Sequence, residues 1–351
     1  MPISVVIPAY NASATLERCL TSIASSTVQP LECLVVDDGS TDESAQIAAS
    51  FGATVVATGG PYGPAHARNL GCRYAKGDIL LFVDADVVLH SDAIEIFEQR
   101  FNERPELAAA IGTYDDSPAD PSLVSRFKNL MHAYIHKSSK PGASTFWCGC
   151  GAVRRDIFFE HGGFDESYSR PMIEDIEFGV RLFQSGHSIA LDSKIQCKHL
   201  KTWTLWKLVH TDIFQRGIPW TQLILKTGFM PNDLNLSWGQ RLAAVLASLL
   251  PVMIALGIWR VFSLGVVSPP WEFVFGLVAL LTIALVNRHF YAFLAARNGW
   301  GFAVRCVPLH ILYYVYSMAS LCLGVGSHVI SEMRPPASAR RPAIFGPDER
   351  L

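Results

Sequence analysis

Short apolar runs alternate with polar, helix-patterned stretches over the first two hundred residues. The β-branched run "ISVVIP" stops at a proline and predicts a strand. A helix follows over about residues 14–25, with Asn11 or Ser13 as its cap. "ECLVVDDGSTDESAQIAASFG" predicts a strand, a turn and a helix. Ser40 and Glu43, three apart, have the spacing of a capping box, so that helix starts just after "DDGS". "ATVVAT" predicts a third strand, "GPAHARNLGCRYAKG" a helix closed by Gly77, and "DILLFVD" a fourth strand. Further on, "TFWCGCGAV" and "SIALDSKIQCKHL" predict strands, the second ending at His199. Between them "EDIEFGVRLFQSG" predicts an amphipathic helix with Ile176, Val180 and Phe183 on one face. Strands alternating with helices imply an α/β fold, a parallel sheet with helices on both faces.

The pattern changes after Arg241. From Ala243 to Ile330 the only charged residues are Arg260, Glu272, Arg288, Arg297 and Arg305. Three stretches approach the roughly 20 apolar residues that a span needs: Leu242–Trp259, extending toward Val267; Trp271–Leu294, with Arg288 inside; and Cys306–Ser331. Pro269–Pro270 mark a turn between the first two. Lys226 and Arg241 precede the first span, and Arg288, Arg297 and Arg305 lie between the second and third. The positive-inside rule puts both groups in the cytoplasm if the first two spans form a hairpin. Before the spans, Trp203, Trp206 and Trp220 mix with Lys201, Lys207 and Arg216, which suits a helix lying in the membrane interface. The expected division is therefore 1–200, a catalytic-looking domain; 201–240, an amphipathic interfacial segment; 241–331, two to three transmembrane helices; and 332–351, a Pro-rich, poorly ordered tail.

Composition sharpens this in three ways. Hydrophobic residues are 50% and charged ones 17%, against about 25% charged in an average soluble protein. A formal net charge of -2 excludes the strong basic excess of a nucleic-acid binder. "MPISVVIPAY" has no basic n-region and too short an apolar run for a secretory signal, so the first domain is expected in the cytoplasm, at a multi-pass inner membrane. The eight cysteines then read as buried small hydrophobes, with Cys148 and Cys150 lacking a second pair at zinc spacing.

In open α/β sheets ligands bind beyond the carboxyl ends of the strands. Pro8–Tyr10, Asp37–Asp38 and Asp84–Asp86 all fall at such ends and should share one rim. Asp84 and Asp86 repel each other unless a divalent cation lies between them, and Mg²⁺ or Mn²⁺ prefers that oxygen pair.

"SVVIPAYN", "ECLVVDDGSTD", "ARNLG", "LLFVDAD" and "IEDIEF" occur in the order seen in family 2 glycosyltransferases, and residues 3–200 resemble their GT-A fold, a Rossmann-like mixed sheet. The resemblance implies an inverting, metal-dependent enzyme that takes a UDP- or GDP-sugar. The first strand end (Pro8, Ala9, Tyr10) and the acids Asp37 and Asp38 would hold nucleobase and ribose. Asp84 and Asp86 would hold the metal that bridges the diphosphate, and His199 would touch metal or diphosphate. An acid of the "ED" motif would act as base or orient the acceptor: Asp175 first, Glu174 next, Glu177 third. Arg68 would add positive charge near the donor or pair with a local acid. An acceptor that is already an anion, such as a polyprenyl phosphate, would need no base.

Processive polysaccharide synthases of the family carry Q-x-x-R-W. Here Gln215, Arg216 and Trp220 lack the Arg-Trp pair, which points to one sugar per encounter, onto a lipid or lipid-linked acceptor. The three stay candidates for the acceptor or diphosphate side. A cell-envelope polysaccharide synthase is the alternative within the family, and a non-catalytic nucleotide-sugar-binding membrane protein the alternative outside it. A nucleotidyltransferase is disfavoured because "VVIPAYNASA" has no glycine-rich basic signature.

Overall fold

The computed structural model describes residues 1–139, 141–231, 237–264 and 271–332. Up to residue 331 the chain divides into two compact units: Met1–Asp120 with His136–Thr202, and Pro121–Ile135 with Trp203–Ser331.

The first unit alternates as the pattern predicts: β1 (Ile3–Ala9), α1 (Ser13–Ala24), β2 (Glu32–Asp37), α2 (Ser44–Ser50), β3 (Thr54–Ala57), α3 (Pro64–Tyr74) and β4 (Ile79–Val83). After them come β5 (Val87–Leu89), α4 (Ala93–Glu103), β6 (Leu107–Tyr114), α5 (Leu123–Ser138, of which Leu123–Ile135 belongs to the second unit), β7 (Gly142–Ala143), β8 (Cys150–Arg154), α6 (Arg155–Glu160), α7 (Glu174–Gln184) and β9 (Ser188–His199). One sheet runs β3-β2-β1-β4-β8-β6-β9-β5, and β7 pairs with β9. β1, β2, β3 and β4 are mutually parallel. β8 runs against both β4 and β6, so the sheet is mixed rather than wholly parallel. β4 is buried throughout, as its unbroken apolar run requires. α3 lies close on the sheet because Gly71 has no side chain: a Cβ there would meet Val36 and Val6 at 2.7 Å.

Several local expectations are corrected. The residue before α1 is Ala12, with no side-chain cap, because Asn11 is engaged elsewhere. Ser40 and Glu43 form no capping box: α2 begins only at Ser44, and Asp42 takes the Ser44 amide and hydroxyl instead. α3 ends at Tyr74 rather than at Gly77. Only Cys150–Val153 of the "TFWCGCGAV" stretch is strand, within β8.

The second unit is helical: α8 (Leu205–His210), a π-helical turn (Thr211–Gly217), α9 (Ile218–Thr227), α10 (Trp238–Leu264), α11 (Trp271–Val286), α12 (Arg288–Asn298) and α13 (Trp300–Glu332). The helix expected around Trp203–Trp220 runs without a break from Leu205 to Thr227, with the π-helical turn inside it, and Trp203 is buried while Trp206 is exposed. Among the described residues, two helices are long and apolar enough to cross a membrane: Trp238–Ser263, with mean hydropathy 2.3, and Trp300–Ser331, with 1.5. The expected middle span breaks at Asn287, where α11 and α12 bend by 67°, so three spans result only if that pair counts as one. Asn287 satisfies the break: its amide donates to Ile283 O and its oxygen accepts from Gln240 and Tyr314. The Pro269–Pro270 turn and the tail beyond residue 332 lie outside the described residues.

Candidate active site

Because β1, β2 and β4 are parallel, their carboxyl ends share one edge of the sheet, with Ala9 opposite Asp37. Ala9 is buried, Pro8 half-buried and Tyr10 exposed. Asn11 takes φ 49°, which an asparagine tolerates. Its side-chain oxygen accepts from the Thr41 amide at 2.8 Å, and its own amide donates to Ser40 Oγ at 3.0 Å. The loops after β1 and β2 are thus laced together.

The two acids of "DDGS" part company. Asp37 is half-buried and accepts from the Ser40 amide at 3.0 Å. Asp38 is buried and accepts from Thr58 Oγ1 at 2.7 Å, the Tyr62 amide at 3.0 Å and the Gly63 amide at 2.7 Å. Asp38 therefore organises the 58–63 loop, and Asp37 is the half-exposed acid at the strand end.

At the end of β4 the Val87 amide donates to Asp84 O at 2.9 Å, closing a tight turn that leaves Asp84 and Asp86 half-buried. Asp84 accepts from Arg68 Nη2 at 2.7 Å. Asp86 faces His199, Oδ2 to Nε2 3.4 Å. Burial pushes the Asp86 carboxyl up, but His199 and Lys201 outweigh it and hold the group below its ordinary range. The register that pairs Val87 with His199 delivers this contact. The His199 ring stacks on Tyr114 with centroids 4.7 Å apart, and Tyr114 meets Trp147 edge-on at 4.8 Å. Sequence reasoning missed both aromatics: Tyr114 lies in no legible motif, and Trp147 sits in "TFWCGCGAV", which reads only as a strand.

The acids of α7 complete the arrangement. Its buried residues are Glu174, Phe178, Gly179, Val180 and Leu182, so the Ile176–Val180–Phe183 face is corrected: Phe183 is exposed and Ile176 half-buried. A glutamate joins the buried stripe because Arg68 Nη1 meets Glu174 Oε1 at 2.9 Å, while the Met172 amide donates to Oε2 at 2.9 Å. Buried Arg68 thereby bridges Asp84 at the strand end and Glu174 on the helix. Asp175 accepts from the Cys148 amide at 3.2 Å and from its neighbour's amide at 2.8 Å. Burial, and then Glu174, push its carboxyl up to about 7, against the pull of Arg68 and the two amides. Gly179 makes the approach possible: a Cβ there would lie 1.9 Å from Phe146 N.

Glu177 is paired with Arg181 at 2.7 Å, a structural role. Gln215, Arg216 and Trp220 belong to the second unit. There Arg216 meets Asp212 at 3.3 Å, and buried Asp212 is also held by Lys128 and Tyr316. Asn69 and His66 were missed. Asn69 brackets Phe164, and both residues reach Glu166 at 2.8 Å, fastening the "GGFDE" loop to α3. The signal was present, since Asn69 adjoins Arg68 in "ARN".

The family model described as Glycosyl transferase family 2 matches residues 4–162, which include the β1 and β2 ends and the D-x-D turn. The chain carries a family 2 glycosyltransferase domain. Glycosyltransferase GlyG of Streptococcus pneumoniae is 36% identical over 117 residues, 32% of this chain. That match spans only 38% of GlyG. The O-antigen chain rhamnosyltransferase RfbN of Salmonella typhimurium is 27% identical over 238 residues, 63% of this chain and 75% of that protein. Among solved structures, residues 1–349 of Staphylococcus aureus TarS, crystallised with UDP-GlcNAc, superpose with a TM-score of 0.51 at 19% identity, covering 92% of each chain. The family 2 domain thus shares the GT-A fold with TarS, mixed sheet included.

Proposed function

We infer that this chain is an inverting, metal-dependent glycosyltransferase. It moves one sugar per encounter from a nucleotide-sugar to a lipid or lipid-linked acceptor at the cytoplasmic face of a membrane. The observation that carries this reading is the Arg68 bridge. One buried guanidinium fixes the D-x-D turn and the acid-bearing end of α7 to each other. Donor-side and acceptor-side chemistry are then held in one frame, as a displacement reaction requires.

In this reading Tyr10 and Asp37 face the nucleoside. Asp84 and Asp86 would hold the cation, with His199 beside Asp86; the half-exposed carboxylate pair suits Mg²⁺ or Mn²⁺. When bound, that cation neutralises the diphosphate that leaves. Asp175 takes the proton of an acceptor hydroxyl as its oxygen attacks the anomeric carbon on the face opposite the diphosphate. With a phosphate acceptor there is no proton to take, and Asp175 orients the acceptor instead. The apolar α10 and α13 support a membrane setting for the acceptor. TarS was crystallised with a UDP-sugar and RfbN acts on O-antigen, which agrees with a nucleotide-sugar donor and an envelope glycan product.

Purified protein with Mn²⁺ should transfer radiolabelled sugar from one of a panel of UDP- and GDP-sugars into a lipid extract. Asp86→Ala should lower that transfer by about 10²-fold or more. An active Asp86→Ala protein, or no transfer with any donor, sinks the reading.

A further inference from the structure

A second cluster of ligating side chains lies in the first unit and takes no part in the chemistry above. His161 follows the last turn of α6, and His187 follows α7 just before β9. Their Nε2 atoms are 2.8 Å apart, with the rings perpendicular and their centroids 4.8 Å apart. Glu160 stands beside them, and one ligand atom from each of the three lies within 4.8 Å of the others. We propose that Glu160, His161 and His187 bind a borderline divalent cation of the Zn²⁺ class, at a site sharing no residue with the D-x-D rim.

Two imidazole nitrogens at 2.8 Å need positive charge between their lone pairs. Either one ring donates a hydrogen to the other, or a cation replaces that hydrogen. In the second case each ring carries its hydrogen on Nδ1 and offers an Nε2 lone pair. Zn–N bonds of about 2.0–2.1 Å in a tetrahedral site put the two nitrogens roughly 3.3 Å apart, a small opening of the present pair. Two imidazoles and one carboxylate are the donor set that prefers Zn²⁺, whereas Mg²⁺ prefers oxygen throughout. Glu160 is exposed and the two histidines are half-buried, so an ion in solution reaches the site, and water fills the fourth position.

The backbone under both histidines is already fixed. The Arg181 guanidinium donates to His161 O and Gly163 O, and the His187 amide donates to Leu182 O at 3.1 Å. A cation here would tie the end of α6 to the turn between α7 and β9. That closes a loop over residues 161–187, which contains the "GGFDE" segment and, at the start of α7, Glu174 and Asp175. Its role is a clamp on that segment rather than chemistry on a substrate.

The test uses full-length protein in detergent, stripped with chelator and supplied with excess Mg²⁺ to satisfy the oxygen pair. Titration with Zn²⁺ should give one calorimetric binding step and a rise in Tm. Co²⁺ should give a visible absorption band of a low-coordinate nitrogen site. In His161→Ala and His187→Ala the step should weaken about tenfold or more, and the Tm rise and the Co²⁺ band should vanish. His187→Gln, which keeps the size of the side chain, gives the same readout should the alanine variant fold poorly. A wild-type protein that takes up no Zn²⁺ beside Mg²⁺ overturns the proposal. So does undiminished Zn²⁺ binding in the histidine variants, which would place the ion elsewhere.

Discussion

Asp175 carries two opposite consequences of one perturbed group. A general base works only when ionised. With its carboxyl pushed up to about 7, transfer to a hydroxyl acceptor should fall as pH drops through about 7. Asp175→Asn should lower kcat by about 10²- to 10⁴-fold and leave donor KM almost unchanged. Stability runs the other way. The folded state holds its proton at a pH where the unfolded chain has lost it. This contribution is therefore complete below the ordinary aspartate range and is lost as pH rises from about 4 through about 7. Asn removes the loss, so at pH 8 the variant should melt higher than the parent. A variant that is both inactive and less stable at pH 8 speaks against this account. Arg68 couples to the same group. Arg68→Met strands Glu174 in the interior, at a cost of about 3–5 kcal/mol in chemical denaturation. It also removes a pull that lowers the Asp175 carboxyl, so the acid limb of any remaining activity should move to higher pH. Restoring neutrality with Arg68→Met/Glu174→Gln should recover part of the stability but not the activity.

At the scale of elements, the sequence is legible where burial sets the pattern and illegible where local hydrogen bonds do. The apolar run of β4 and the carboxylates that follow it define the rim directly, since a fully buried strand admits no other reading. Helix ends do not follow their motifs. Asn11 and Ser40 bond across loops, and Asp42 accepts from the first residues of both α1 and α2, Ser13 and Ser44; no spacing rule encodes such tertiary partners. α7 misleads for a related reason. Its buried face includes Glu174, so a search for apolar periodicity picks Phe183, which is exposed. Only the matching cation on α3, over a hundred residues earlier in the chain, makes that face consistent. The glycine on the same helix is the test of how tightly it must dock. Gly179→Ala improves helix propensity, yet its methyl would stand 1.9 Å from Phe146 N. Backbone does not yield as a flexible side chain does, so we expect a net loss of about 3 kcal/mol in thermal or chemical melts. A neutral or stabilised variant would show that α7 and the Phe146–Cys148 segment move apart easily, and would remove the reason why Asp175 is held by the Cys148 amide.

On the scale of the whole molecule, one boundary between the compact units, Thr202/Trp203, lies beside the change of composition near residue 200, but Pro121–Ile135 groups with the late helices. Most of α5, Leu123–Ile135, belongs with the late helices: Phe127, Leu130 and Met131 are buried with Phe290, Leu294, Phe302 and Cys306. Composition could not reveal this, because "LVSRFKNLMHAYIHKS" reads as an ordinary amphipathic helix whose partners arrive more than 150 residues later. Charge follows the same plan, with Lys128 of α5 at 2.8 Å from buried Asp212 of the π-helical turn. A chain cut after Thr202 would therefore keep an intact sheet and rim but leave three large apolar side chains and one lysine without partners. An exposed patch of that kind drives association. The truncated protein should aggregate or need detergent, although it lacks every apolar helix able to cross a membrane. Adding Phe127→Glu, Leu130→Gln and Met131→Gln should make it monomeric in size-exclusion chromatography, with the far-UV spectrum of a mixed α/β domain. A soluble, monomeric fragment without those changes would mean that α5 finds other cover, and that the late helices serve as a membrane anchor rather than as part of the fold's core.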